Sequence, residues 1–103
     1  MSAAGFETRL ARVSDAKAIA NMSRDLIETG LPWRWQPPRV EIKIRDPEVM
    51  VLVVETRIEI AGFGIMEFGP DRAHLSLFAV REAHRRTGVG RALLSWLTES
   101  ALT

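Results

Sequence analysis

Apolar residues recur with two different periods in the first third of the chain. In an extended segment over residues 6–13, Phe6, Thr8, Leu10 and Arg12 would lie on one side, which predicts a short amphipathic strand. From Ala16 to Gly30 the apolar residues recur at helical spacing, and Gly30 is a natural stop. Ser14 and Asp15 precede this helix as candidates for its N-cap oxygen. The pattern therefore predicts a strand followed by a helix.

Prolines interrupt the pattern after this helix. Because proline opposes helix continuation and pushes the preceding residue toward extended geometry, we expect a loop over Leu31–Pro38. The charged and apolar residues of Arg39–Arg45 then favour a short helix, with a break at Pro47.

The middle of the chain is rich in β-branched residues. Val49–Glu55 is an almost continuous apolar run, which is typical of a strand covered on both faces. A polar pair separates it from Ile58–Phe68, so the two runs predict an antiparallel hairpin. After a turn, Arg72–Val80 predicts a third strand of the meander. The apolar residues expected to share one face of that strand are Leu75, Leu77 and Ala79.

The last segment, Val89–Leu102, returns to the helical period. We expect its apolar stripe, with Trp96 included, to face the core. The members of the stripe are Val89, Leu93, Leu94, Trp96, Leu97 and Ala101. The predicted element order is thus β-α-(α)-β-β-β-α.

Length and composition limit the classes of protein that fit. A chain of 103 residues suits one modest core, so we assign residues 1–103 to a single domain. The net charge of +1 gives no global field for nucleic acid or an acidic membrane. The absence of cysteine excludes thiolate ligands and disulfides, and we expect no metal site. Without a long apolar run near the N-terminus, the sequence predicts a cytoplasmic protein that has no targeting signal.

The loop before the last helix combines glycines with arginines, a combination that folding alone does not require. Gly88 and Gly90 lie between the strand that ends near Val80 and the last helix. Such a loop aims the unpaired N–H groups of the helix at one point, and the helix dipole adds positive charge there. Three arginines, Arg85, Arg86 and Arg91, surround it. The segment predicts a local anion site, although Gly-x-Gly also occurs for turn geometry alone.

The run VREAHRRTGVGRALL, from Val80 to Leu94, resembles the coenzyme A signature of the GNAT superfamily of N-acetyltransferases. In that signature a strand is followed by Gln/Arg-x-x-Gly-x-Gly/Ala and a helix, and Arg85, Gly88 and Gly90 occupy the defining positions. The resemblance implies an α/β (α+β), GNAT-like fold with a mixed, mostly antiparallel sheet. It also implies acetyl-CoA as the acetyl donor.

The resemblance further implies which residues bind the coenzyme. The loop amides of the family hold the pyrophosphate, and the main chain of the preceding strand pairs with the pantetheine arm. The corresponding residues here are Phe78, Ala79, Val80, Arg85, Arg86, Thr87, Gly88, Val89, Gly90 and Arg91.

The chain departs from the family pattern at its C-terminal end. The family continues with further strands and a tyrosine that protonates the leaving thiolate, whereas this chain stops at Thr103 and contains no tyrosine. We expect a truncated form, or a short relative that a partner completes or that lacks the chemistry. Leu93, Leu94 and Leu97 would then lose neighbours, leaving an apolar patch beside an open strand edge. This predicts self-association through that edge.

Acetyl transfer to an amine needs a proton acceptor. Glu67 and His74 are the candidates on strands, and each also fits a solvent-facing strand residue. Glu82 and His84 lie in a charged loop, which favours ordinary surface residues.

The resemblance places one wall of the acceptor site in the loop after the first helix. Trp33 and Trp35 would line that wall, where aromatic faces suit a cation or a flat apolar group. The other interpretation is that one tryptophan caps the core and the other covers the proline loop.

Two functions from different classes follow. The first is an N-acetyltransferase that acts on a primary amine of a small molecule or peptide. The alternative is a catalytically silent acyl-CoA-binding or interaction module. A nucleic-acid-binding role fits poorly, because the net charge is near zero and no aromatic residues interleave with the loop arginines.

Overall fold

The computed structural model describes residues 5–102 and contains four strands and three α-helices within them. The strands form one antiparallel sheet in the order β1-β2-β3-β4. This confirms the predicted fold class and element order. The elements are β1 (Glu7–Leu10), α1 (Ala16–Leu26), α2 (Pro37–Arg45), β2 (Val49–Glu55), β3 (Ile60–Phe68), β4 (Ala73–Val80) and α3 (Val89–Leu102).

Helices cover both faces of the sheet. α1 and α2 pack on one face around Phe63 and Ile65, and α3 packs on the other face around Leu93 and Leu97. α3 comes close to β3 because Gly64 has no side chain: a Cβ there would lie 2.7 Å from Leu97 Cδ1. β2 is buried on both faces, as its apolar run predicts.

The first strand is shorter than predicted, ending at Leu10. The chain turns at a 3₁₀ segment, Val13–Asp15, in which Asp15 Oδ2 accepts from the N–H of Arg12 at 2.7 Å. Asp15 therefore does not cap α1 with its side chain as predicted. Its carboxylate instead forms two hydrogen bonds with the guanidinium of Arg9.

Two further boundaries differ from the sequence prediction. α2 begins at Pro37, inside the predicted loop, because a proline in the first helical turn gives up no helix hydrogen bond. In β4 the register with β3 shifts, since Ile65 is opposite Leu77 but Met66 is opposite Leu75. Ser76 is the extra residue of this bulge, so Leu75 does not share a face with Leu77.

The stripe predicted along α3 is only partly buried. Leu93 and Leu97 keep their neighbours on β3 and are 0% and 1% exposed, contrary to the expected loss. Leu94 and Trp96 are 46% and 38% exposed, so Trp96 is not the core residue that was predicted. α3 contacts β3 more than it contacts β2 or β4, and the residues of its stripe that face β3 are the buried ones.

Candidate active site

Two residues of the loop between β4 and α3 have left-handed backbone conformations. Gly88 has φ of 93°, which costs glycine little, and Arg86 has φ of 64°, which is uncommon for a residue with a side chain. A 3₁₀ turn over Glu82–His84 precedes them, and Thr87 Oγ1 donates to the carbonyl of His84. The backbone therefore folds back on itself before α3 begins.

The first N–H groups of α3 are free to face a ligand. Ala92 is the first residue whose N–H donates within the helix, to Gly88 O at 3.0 Å. No carbonyl of the helix is available for the N–H groups of the three residues before it, Val89 to Arg91. A Cβ on Gly90 would make only ordinary contact with Val80, at 3.6 Å. These donors fit the phosphate oxygens of a coenzyme.

Three arginines of the loop have no carboxylate partner among the described residues. Within residues 5–102, no carboxylate forms a salt bridge with Arg85, Arg86 or Arg91. Arg85 makes one long hydrogen bond, from Nε to Val80 O at 3.3 Å. The three arginines are exposed and belong to the same chain segment as the free N–H groups.

A carboxylate outside the loop contacts the residues at which the loop begins. Glu59, in the turn before β3, lies 2.9 Å from His84 Nε2 and 3.5 Å from Arg81 Nε. Arg81 also donates to Ile60 O at 2.8 Å. Sequence reasoning missed this contact, because no local pattern links residues more than twenty positions apart.

The structure brings Glu67 and His74 together at the other end of β4, where they are opposite each other across the β3 and β4 pair. Lys43 of α2 lies 2.6 Å from Glu67 Oε1, and Ser76 donates to Glu67 Oε2. The hydrogen bonds from Lys43 and Ser76 outweigh burial and lower the pKa of Glu67. Along β4, Ser76 lies about 13 Å from Val80 and His74 about 20 Å from it.

In the loop between α1 and α2, the side chains of Trp33 and Trp35 both contact neighbouring residues. Trp35 is 9% exposed, and the guanidinium of Arg39 lies 4.1 Å from its ring centre. Trp33 is half-buried and donates from Nε1 to Ala20 O at 3.2 Å. Trp33 is the less buried of the two residues, with the guanidinium of Arg24 5.2 Å from its ring centre. The predicted acceptor-wall role is therefore easier to reconcile with Trp33.

Buried Glu28 holds that loop in place, and the sequence offered no signal for it. Its carboxylate accepts from Ser23 Oγ and from the N–H of Arg34, each at 2.8 Å. Burial opposes ionisation, but these bonds and one from the N–H of Trp35 outweigh it and lower the pKa of Glu28.

Comparison with known proteins gives both a family match and structural neighbours. A model described as the acetyltransferase (GNAT) family matches residues 20–103. The ribosomal-protein-S18-alanine N-acetyltransferase from Escherichia coli is similar, with a TM-score of 0.75 and 21% identity over 92% of this chain. The chain spans only 58% of that enzyme's length. No curated protein sequence matches the chain.

Two other solved structures have the same fold. The ribosomal-protein-alanine N-acetyltransferase from Brucella melitensis has a TM-score of 0.73 and 19% identity over 92% of this chain and 70% of its own. AAC(6')-Iy, in complex with a CoA-containing bisubstrate analog, has a TM-score of 0.76 and 13% identity, covering 91% and 69%. Across residues 5–102, no helix has the length and apolar character needed to span a membrane.

Proposed function

Since this chain belongs to the acetyltransferase (GNAT) family, we propose that it transfers an acetyl group from acetyl-CoA to a primary amine of a small molecule or peptide. The observation that carries the proposal is that one segment, at the start of α3, contains both N–H groups without a helical acceptor and arginines without a carboxylate partner. An anion such as a pyrophosphate satisfies both at once, with charge-assisted hydrogen bonds of about 1.5 to 3 kcal/mol each.

In this proposal the loop from Arg85 to Arg91 holds the pyrophosphate. The donors are the backbone of Thr87, Gly88, Val89 and Gly90 and the side chains of Arg85, Arg86 and Arg91. The pantetheine arm lies along β4, with the main chain of Phe78, Ala79 and Val80 as its partner. Support comes from the position of β4, since no other strand within residues 5–102 pairs with its outer side.

Glu67 takes the amine proton in the proposed reaction, and His74 beside it assists. A neutral amine attacks the thioester carbonyl, so a carboxylate near the acceptor speeds the step by removing the proton. Trp33 and Trp35 form the acceptor wall, with Trp33 the less buried of the two residues. We place the protein in the cytoplasm, where acetyl-CoA is available as its substrate.

Calorimetric titration with acetyl-CoA tests the proposal through two glycines of the loop. Gly90→Ala adds a methyl between α3 and the edge of β4 in ordinary contact with Val80, so the variant keeps its fold while its affinity falls. Gly88→Val forces a branched side chain into positive φ, and we expect a larger loss of affinity than of stability. Dephosphorylated pantetheine, as a second ligand, reports whether the pyrophosphate is required.

Unchanged acetyl-CoA affinity in both glycine variants would remove the loop from the mechanism. Thermal unfolding of each variant separates a binding defect from a folding defect. If the wild-type chain binds acetyl-CoA but releases no thiol with any amine, the alternative of a silent acyl-CoA-binding module is correct. The pairing of Glu67 with Lys43 means that a free amine must displace Lys43 before it reaches the proposed base.

We also propose that, in the absence of acetyl-CoA, two copies associate through the open edge of β4, which the pantetheine arm occupies when it is bound. Leu75 and Leu94, beside that edge, are 39% and 46% exposed. An unpaired strand with apolar neighbours is a template for a second strand. Sedimentation analysis that shows only monomer at high concentration would contradict this association.

A further inference from the structure

The ion pair between Lys43 and Glu67 places a lysine amine at the carboxylate that we assign as proton acceptor. Lys43 Nζ lies 2.6 Å from Glu67 Oε1. An acceptor ammonium that gave its proton to Glu67 would occupy the same position. We infer that Lys43 is itself an acceptor and that the chain acetylates its own Lys43 side chain. This inference rests on the proposed function.

Tethering gives Lys43 an advantage over a free amine. A reactant held on the same molecule reacts as if present at a concentration that no dissolved amine reaches. Ser76 donates to the same carboxylate and lies two residues from Phe78, the first residue proposed to pair with the pantetheine arm. The amine and the acyl end of the arm therefore approach the same part of β4. The Lys43 side chain is 23% exposed, so it is accessible to a reactant.

The reaction balances without another reactant. The ion pair is the stable form, so the Lys43 ammonium passes its proton along the existing hydrogen bond to Glu67 only transiently. In that state the neutral amine attacks the thioester carbonyl. The new N–C bond forms, the C–S bond breaks, and the leaving thiolate takes the second proton from the nitrogen. Glu67 then releases its proton to water. The products are Nε-acetyl-Lys43 and free coenzyme A.

The chain offers a matched control for this reaction, because Lys43 and Lys17 are its only lysines. Lys17 is exposed on α1 and forms no hydrogen bond or ion pair with the residues at 5–102. Direct chemical acetylation by acetyl-CoA would favour such an exposed amine. Preferential labelling of Lys43 therefore separates positioning from simple accessibility.

The experiment incubates the full chain with acetyl-CoA alone and follows each lysine by peptide mass spectrometry. We expect Lys43 to be labelled about a hundredfold faster than Lys17, within the range that a positioned base contributes. The rate per molecule should not depend on protein concentration. In Glu67→Gln, which keeps hydrogen-bonding atoms but loses the base, the Lys43 rate should fall to that of Lys17.

Two lysine variants and a binding measurement complete the test. Lys17→Arg should leave Lys43 labelling intact, whereas Lys43→Arg should abolish it and keep the charge pair with Glu67. Equal labelling of both lysines, no label on Lys43, or a rate that rises with protein concentration would overturn the inference. Calorimetric binding of acetyl-CoA in parallel tells whether the proposed function fails with it: retained binding means that only self-acetylation is wrong.

Discussion

The two ends of β4 satisfy their charges in opposite ways. At the α3 end, three arginines have no carboxylate partner within residues 5–102, and the first N–H groups of the helix have no helical acceptor. At the α2 end, Glu67 accepts from both Lys43 and Ser76. The three arginines at one end therefore lack an anionic partner, whereas the carboxylate at the other end is already paired within the protein.

This difference separates two kinds of site. Unpaired cations beside free amides gain hydrogen bonds when an anion arrives, so binding there needs no rearrangement. A carboxylate that already has an ammonium partner must lose it before another amine approaches. We therefore expect changes at the α3 end to alter affinity and changes at the α2 end to alter turnover.

The largest expected effect is on turnover. Glu67→Gln should lower the rate at saturating amine about a hundredfold, because the proton acceptor is lost. Acetyl-CoA affinity should not change, since the pyrophosphate loop lies at the far end of β4. Thiol release and calorimetry measure the two quantities, and Glu48→Gln, at an exposed carboxylate on the surface, is the control. Equal turnover in both variants would end the assignment of Glu67.

A smaller effect is expected at the other end. Arg91→Gln should weaken acetyl-CoA about tenfold, the loss of one charge-assisted hydrogen bond, and should leave the affinity for dephosphorylated pantetheine unchanged. Arg57→Gln, which removes an exposed arginine from the β2–β3 turn, controls for net charge. If Arg91→Gln weakened both ligands equally, its side chain would not act through the pyrophosphate.

The pH dependence tests the pairing directly. The hydrogen bond from Lys43 is the largest cause of the lowered pKa of Glu67, so the carboxylate form persists below the ordinary glutamate range. In Lys43→Gln, which resembles the acetylated lysine, the pKa should rise, and the acidic limb of the rate profile should move to higher pH.

The same pair also contributes to stability. A lowered folded-state pKa adds stability above the unfolded pKa, and that contribution is lost as pH falls through the folded pKa. Denaturant unfolding, followed as the pH falls through and below the ordinary glutamate range, should therefore be less acid-sensitive in Lys43→Gln than in the wild type. If Lys43→Gln changed neither the acidic limb of the rate profile nor the acid sensitivity of unfolding, Lys43 would not control the pKa of Glu67.

The smallest effect is expected at Glu59. Because its contacts with Arg81 and His84 are partly exposed, Glu59→Gln should weaken acetyl-CoA only about two- to fivefold. The expected cause is a looser entry to the glycine loop. Calorimetry with thermal unfolding checks this. If Glu59→Gln lowered the acetyl-CoA affinity more than Arg91→Gln does, the positioning contact would matter more than the direct one.

Local signals in the sequence were sufficient for most of the fold. The two periods of apolar residues predicted the order of strands and helices, and the prolines located the break before α2. The errors arose where a tertiary contact overrode the local pattern. Arg9 draws the Asp15 carboxylate away from α1, and the bulge at Ser76 turns Leu75 to the other face of β4.

The sequence by itself determined the glycine loop, because its geometry depends on residues that are neighbours in the chain. Gly88, Gly90 and the arginines around them predict an anion site without reference to any distant residue. Only the tertiary structure decided which carboxylates are partnered. Lys43 and Glu67 are 24 residues apart, and their contact depends on how α2 packs and on the register of β3 with β4. Packing and register are set by the whole core, so no short stretch of sequence contains them.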